Sequence, residues 1–218
     1  MFFPKLMHLS KIVCVLPALS LLFSMASVQA QTQLPSKAQL FQCMACHGPQ
    51  GNSLIPTTPS LAAQPKLFIE NQLVLIREGL REVPEMSQVV IVREGTREIP
   101  QMKSLLHGMQ DSELISLAHY FSAQTLTPVN AGPINTARFE NGKFMARQAL
   151  CGTCHLPDYS GRQQIPRLAG QHEAFLFESM KQFRDHAGLG RDTVMSASLH
   201  GFKDHELADL AHFLANTK

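Results

Sequence analysis

The sequence carries little net charge, no apolar run of membrane length after its first 30 residues, and no long alternation of apolar and polar positions. A formal charge of +2 is too small to mark a nucleic-acid or anionic-membrane partner. Later apolar runs, such as 73–76 and 89–92, are brief and bounded by charge, so the mature chain is expected to have no transmembrane segment. The missing alternation argues against long strands. Neither a glycine-rich phosphate loop nor a catalytic triad can be found. Yet 17% charged residues beside 44% hydrophobic ones exclude disorder, and 218 residues suffice for one large domain or two small ones.

Cysteine is scarce and odd in number, five in all. In an exported chain that would leave one thiol without a partner. The N-terminus does read as an export signal: Lys5, His8 and Lys11 precede an apolar stretch over 12–26, and Val28-Gln29-Ala30 offers a small-residue cleavage site. The stretch is interrupted by Pro17, Ser20 and Ser24 and falls short of the roughly 20 apolar residues a bilayer span needs. Cleavage after Ala30 removes Cys14, Lys5 and Lys11, leaving four cysteines and 17 basic against 17 acidic residues. The mature product is expected to be soluble outside the cytoplasm.

Those four cysteines lie in two pentapeptides 108 residues apart, Cys43-Met44-Ala45-Cys46-His47 and Cys151-Gly152-Thr153-Cys154-His155. Around them the chain repeats itself. Pro59-Ser60-Leu61-Ala62-Ala63-Gln64 matches Pro166-Arg167-Leu168-Ala169-Gly170-Gln171, and each is followed by an amphipathic stretch ending at Arg77 or Arg184. Further on, 102–123 parallels 195–215, including Leu106-His107-Gly108 against Leu199-His200-Gly201. The spacing predicts helices over 66–77, 113–121, 173–184 and 206–214, with Asp111-Ser112 and Asp204 as N-terminal caps. The expected fold is all-α, in two tandem halves: 31–125, a linker at 126–136 with Pro128, Gly132 and Pro133, and 137–218. Each half is too small for a comfortable core without a covalent or cofactor staple.

Residues i, i+3 and i+4 share one face of a helical turn, so Cys43, Cys46 and His47 project together, as do Cys151, Cys154 and His155. Two thiols at that spacing can form thioethers to the vinyl groups of one haem, and the following histidine then meets the iron. A redox-active cysteine pair would want a βαβ context, and zinc would need ligands pooled from both halves; a structural disulfide is the remaining alternative.

The two motifs, the Pro-x-Leu-Ala-x-Gln stretches and a methionine followed by a Leu-Ala-His-aromatic helix together resemble the dihaem class I c-type cytochromes, closest to the cytochrome c4 family. The resemblance covers essentially the whole mature chain and implies two cytochrome domains with two covalently bound haem c groups, each held by a histidine and a methionine. Met195, 40 residues after His155, is the expected second ligand in the second half, with Met180 assigned to the core. The first half offers two candidates, because 72–86 (QLVLIREGLREVPEM) and 88–102 (QVVIVREGTREIPQM) are near-copies. Met86 keeps the distance to His47, whereas Met102 keeps the distance to the last helix; Met102 is preferred, since an upstream insertion can loop out. Met44, Met109 and Met145 are assigned to packing or judged too constrained.

Histidines 107, 119, 200, 205 and 212 raise bis-histidine ligation as an alternative, against exposed helical positions, while His172 and His186 have no counterpart and no assigned role. The resemblance also implies that Pro59 and Pro166 offer their carbonyls to the ligand histidines, the alternative being ordinary turn prolines. Arg77 and Arg184 are read as exposed helix charges or as partners of haem propionates. Before Cys43 the chain lacks the glycine that Gly142 supplies ahead of Cys151, so packing of the first helix is expected to be weaker there.

The function implied is a soluble periplasmic electron carrier, not an enzyme, passing single electrons from a membrane quinol-oxidising complex or dehydrogenase to a terminal oxidase or reductase. A cytochrome subunit of a dehydrogenase complex shares all of this chemistry, and a dihaem peroxidase would need one open iron.

Overall fold

A computed structural model describes residues 34–78, 99–127, 133–185 and 192–218. The segment read as an export signal (with Cys14), Met86 with most of the duplicated stretch, His186, and 128–132 of the connection lie outside the described residues.

The first half contains α1 (Lys37–His47), a short 3₁₀ turn (Pro49–Gly51), α2 (Lys66–Glu78), α3 (Pro100–Leu106) and α4 (Asp111–Ser122). The second contains α5 (Thr136–Gln148), α6 (Cys151–His155), α7 (Glu173–Asp185), α8 (Thr193–Leu199) and α9 (Asp204–Asn216). The fold is all-α, and the described residues show no sheet, only one isolated bridge between Arg162 and Ile165.

Each half has its own apolar centre. Ile69, Leu73 and Ile76 of α2 meet Leu106 of α3 and Leu114, Leu117, Ala118 and Phe121 of α4. In the second half Leu176 and Met180 of α7 meet Leu199 of α8 and Leu207, Leu210, Ala211 and Leu214 of α9. The i, i+3, i+4, i+7 spacing of these residues is what turns each helix's apolar stripe inward. Burial of one such leucine contributes about 1.5–3 kcal/mol.

Local chemistry sets the helix ends. Ser36 opens α1 with a reciprocal pair: its hydroxyl accepts from the Gln39 N–H at 3.2 Å, and Gln39 Oε1 accepts from the Ser36 N–H at 2.9 Å. Asn135 Oδ1 caps α5 by accepting from the Arg138 N–H at 3.1 Å. Leu150, at φ 55° and ψ 30°, breaks α5 from α6. The expected caps of the last helices need correction, because Asp111 and Asp204 are the first helical residues and cap nothing. One turn inside, Glu113 Oε2 accepts from the Gln110 N–H at 2.8 Å and Glu206 Oε2 from the Lys203 N–H at 2.7 Å.

The halves differ where α1 and α5 meet the last helix. Gly142 lets α5 lie directly on α9, its position facing the Asp209 carbonyl and Phe213. In the first half α1 sets Leu40 and Met44 against the apolar core and adds a 2.6 Å hydrogen bond from Gln39 Nε2 to Glu113 Oε1 of α4.

Candidate functional site

After each histidine the chain turns back and closes in the same way. The Gly51 carbonyl accepts from the N–H groups of Leu61 and Ala62 at 2.7 and 3.1 Å, and the Tyr159 carbonyl from those of Leu168 and Ala169 at 2.9 and 3.1 Å. These closures carry Pro59 and Pro166 back over the histidines. His47 Nδ1 lies 2.8 Å from the Pro59 carbonyl oxygen, and His155 Nδ1 lies 2.8 Å from that of Pro166. A carbonyl can only accept, so each Nδ1 carries the proton and each Nε2 keeps a free lone pair. Both rings are buried, and that burial lowers their pKa values, outweighing the carbonyl bonds that raise them. The rings are therefore neutral near pH 7, with Nε2 ready to bind a metal.

The cysteines sit where the helical turn places them, Cys43 and Cys151 half-buried, Cys46 and Cys154 exposed, all four unpaired. Burial pushes the Cys43 thiol up to about 11 and raises that of Cys151. A redox-active pair works through a thiol lowered toward neutrality, so both shifts run against that chemistry. Among the described residues no three histidine, cysteine or acidic side chains gather as a metal-holding group. Residues of this kind suit haem: two unpaired thiols, then a neutral histidine with its iron-facing nitrogen free.

Met102 and Met195 occupy matching places. Each is the third residue of a seven-residue helix, α3 or α8, half-buried against the core of its own half. The same offset pairs Leu106 with Leu199, both buried, and Gly108 with Gly201, which turn at φ 83° and 84°. As expected, Met180 is buried in the second half's core with Met145 packed against it, and Met109 packs against the first half's core.

The other histidines divide. His107, His119, His200 and His205 are exposed. His212 is buried with both ring nitrogens engaged: Nδ1 donates to Glu173 Oε2 at 2.8 Å and Nε2 accepts from the Asn135 N–H at 3.1 Å. Glu173 also takes Arg138 Nη2 at 2.8 Å, and Arg138 reaches Asp209 and the Ala208 carbonyl, so this histidine ties the starts of α5 and α7 to α9.

Arg77 and Arg184 are neither exposed nor free. Arg77 donates to the Met109 carbonyl at 2.7 Å and to Asp111 and Glu78, both at 2.6 Å; Arg184 donates to the Phe202 carbonyl at 2.9 Å and pairs with Asp204 at 2.7 Å and Asp185 at 2.6 Å. Each arginine fastens the end of one helix to the entrance of the last. The Arg184 hydrogen bond, foremost, holds the Asp204 carboxyl below its usual range. Stabilisation from a lowered carboxylate is complete above the unfolded value, about 3.9, and fades as pH falls through the folded one. Arg184→Met is thus expected to lower the thermal midpoint at neutral pH and to shrink the further drop on acidification. Both effects should be modest and weaker in high salt because the pair meets water; an acid response equal to that of the wild type would count against the pairing.

Sequence reasoning missed the contacts between the halves. His172 Nε2 lies 2.9 Å from the Ser53 carbonyl oxygen, and the Phe175 N–H donates to the Pro56 carbonyl at 3.1 Å. Gln171 donates to the Ser60 carbonyl and accepts from the Ser60 N–H, at 3.0 and 2.8 Å. Gln64 does the same to Arg167, at 2.9 and 3.0 Å. The only hint in the sequence was that both repeats end in glutamine.

Residues 139–218 match the cytochrome c family model. Fold and motifs together define a c-type cytochrome with one attachment motif in each half. The chain is 30% identical over 186 residues to cytochrome c4 of Pseudomonas aeruginosa, covering 82% of this chain and 85% of that protein. Cytochrome c4 of Azotobacter vinelandii is 29% identical, with 79% and 82% covered. The crystal structure of reduced recombinant cytochrome c4 from Pseudomonas stutzeri superimposes with a TM-score of 0.69 at 26% identity, over 85% of this chain and 100% of that one. The chain belongs to the cytochrome c4 family. It is accordingly an electron-transfer protein with two covalently bound haem c groups, not an enzyme.

Proposed function

We propose that Cys43 and Cys46 would attach the first haem, with His47 and Met102 holding its iron, and that Cys151 and Cys154 would attach the second, with His155 and Met195 holding its iron. The observation that carries this is the doubled geometry: in both halves a neutral, buried histidine is fixed through Nδ1 by a proline carbonyl 2.8 Å away. When bound, haem supplies a one-electron iron couple. The chain's own residues do the rest. The cysteines would anchor the haems, the proline carbonyls orient the imidazoles and raise their basicity, and the methionines would keep small ligands from the iron. Thioether sulfur raises the potential, which suits acceptance of electrons from quinol-level donors.

In this reading the two domains span 31–125 and 137–218, joined by 126–136. Asn52 supports the first boundary by accepting from the Thr127 N–H at 2.7 Å and donating to the Thr125 carbonyl at 3.1 Å. Asn135 supports the second by capping α5. The export signal favours a periplasmic carrier running between a membrane quinol-oxidising complex or dehydrogenase and a terminal oxidase or reductase. No helix among the described residues is long and apolar enough to cross a membrane.

The test is a redox titration of protein isolated from the periplasm, with optical spectra and intact mass. Expected are two haems per chain that survive denaturation, both low-spin, with a weak near-infrared sulfur-to-iron band when oxidised. Rapid binding of carbon monoxide by the reduced protein, or of peroxide by the oxidised protein, would show an open iron and overturn the carrier reading.

A further inference from the structure

The two prolines that hold the histidines are each followed by the residue that the opposite half's glutamine grips. One peptide group therefore serves both bonds. The carbonyl of the Pro59–Ser60 peptide faces His47 Nδ1 at 2.8 Å, and its N–H donates to Gln171 Oε1 at 2.8 Å. The carbonyl of the Pro166–Arg167 peptide faces His155 Nδ1 at 2.8 Å, and its N–H donates to Gln64 Oε1 at 3.0 Å. Each glutamine's Nε2 bonds the next carbonyl along, at 3.0 Å to Ser60 and 2.9 Å to Arg167, which fixes its amide the right way round. Gln64 and Gln171 are only 6% and 4% exposed, so water offers no ready substitute.

We propose that Gln64 and Gln171 are positioning residues acting across the two halves, each tuning the axial histidine of the half it does not belong to. The inference rests on the histidine ligation proposed above.

The physical link is the polarisation of the shared peptide. An N–H that donates to a buried acceptor makes its own carbonyl a stronger acceptor, and in a low-dielectric interior such chains reinforce one another. A stronger carbonyl draws the Nδ1 proton and makes the imidazole a more basic ligand. A more basic ligand favours the oxidised iron and lowers the potential of that haem. Removing the glutamine amide should do the reverse, and only in the opposite half. Docking of the halves and the setting of both potentials then become one event. A half alone would hold its histidine by a peptide whose N–H has lost its protein acceptor.

The experiment is a redox titration of the holoprotein and of Gln171→Met, Gln64→Met and His172→Gln. It is read through the paramagnetically shifted methyl resonances that separate the two haems and through solvent exchange of the two histidine ring protons. Gln171→Met is expected to raise the potential of the first haem, with a several-fold gain in its reduced fraction at fixed applied potential, and to speed exchange of the His47 ring proton. Gln64→Met is expected to do the same to the second haem and to His155. His172→Gln alters the side-chain bond to the Ser53 carbonyl but keeps the main-chain N–H of residue 172, which donates to Gln171 Oε1 at 3.2 Å, and should leave both potentials in place. A shift on the haem of the substituted half, equal shifts on both haems, no shift, or an equal shift from His172→Gln would overturn the proposal. If one glutamine variant does not fold, the other copy carries the test, and slow exchange of both ring protons is required of the wild type itself. Failure of the ligation reading would be visible separately, as a wild-type haem lacking the histidine–methionine signature before any substitution.

Discussion

Gly142→Ala is expected to destabilise the second half by about 3 kcal/mol or more while leaving the first half's own transition in place. A Cβ at this position would stand 2.1 Å from the Asp209 carbonyl oxygen, 2.7 Å from its carbon and 2.7 Å from Phe213 Cβ. Two of these contacts are backbone of α9, which cannot swing aside as the end of a side chain would. The helices would have to part by roughly 1 Å, and overpacking of this kind costs about 1–3 kcal/mol even where side chains can adjust. Alanine returns up to about 1 kcal/mol through its better helix propensity, too little to offset a clash between main chains. Parting α5 from α9 also loosens the Phe139–Phe213 and Tyr159–Phe213 edge-to-face contacts, whose ring centroids lie 5.1 and 5.4 Å apart. Denaturant unfolding followed through the methionine-ligation band would show an earlier loss of about half its amplitude. A single unshifted transition would mean that the crossing contributes nothing of the kind. The first half has no equivalent test: the offset between the cysteine motifs places Leu34 at the matching position, three residues before α1 begins.

Features carried by local pattern could be read from the sequence. Helices α2, α4, α7 and α9 follow from apolar residues at helical spacing, and their bounds fall within one or two residues of the expected ones. The proline carbonyls were legible only through the family resemblance: the repeat places a proline 12 and 11 residues after the two histidines, but on spacing alone each reads equally well as a turn proline. Competition between equally suitable residues was less legible. An aspartate ahead of an apolar helix looks like a cap, but Asp111 and Asp204 turn to Arg77 and Arg184 while Glu113 and Glu206 take the free N–H groups. An arginine at a helix end likewise looks solvated until a carbonyl from 18 or 32 residues away comes within reach. Least legible were the contacts between halves. Gln171 and Ser60 are 111 residues apart, and His172 and Ser53 are 119 apart, so no local periodicity bears on them. His172 has no counterpart in the first repeat, and the rule that pairs copies gave it no role.

Met195→Ala and Met102→Ala are each expected to convert one haem from low spin to high spin, removing about half of the near-infrared sulfur-to-iron band and opening that iron to carbon monoxide. The two methionines stand at the third position of α3 and α8, half-buried against the core, with the same distance to the Leu-His-Gly turn and to the helix that follows. Neither alanine reaches far enough to ligate, and losing a thioether that raises the potential should also make the altered haem harder to reduce. The fold itself should survive, because Leu106 and Leu199 are the deeply buried residues of these short helices, at 2% and 3% exposure. Met86→Ala is the deciding comparison for the first haem. If the duplicated stretch is an insertion upstream of the ligand, removing Met86 leaves the spectrum unchanged. If Met86→Ala gives the high-spin haem and Met102→Ala does not, the ligand is fixed by its distance from His47 and the assignment of Met102 falls. The matching places of α3 and α8 favour the first outcome: Arg77 and Arg184 fasten the chain at Met109 and Phe202, each seven residues after the proposed ligand, so Met102 and Met195 stand in the same register.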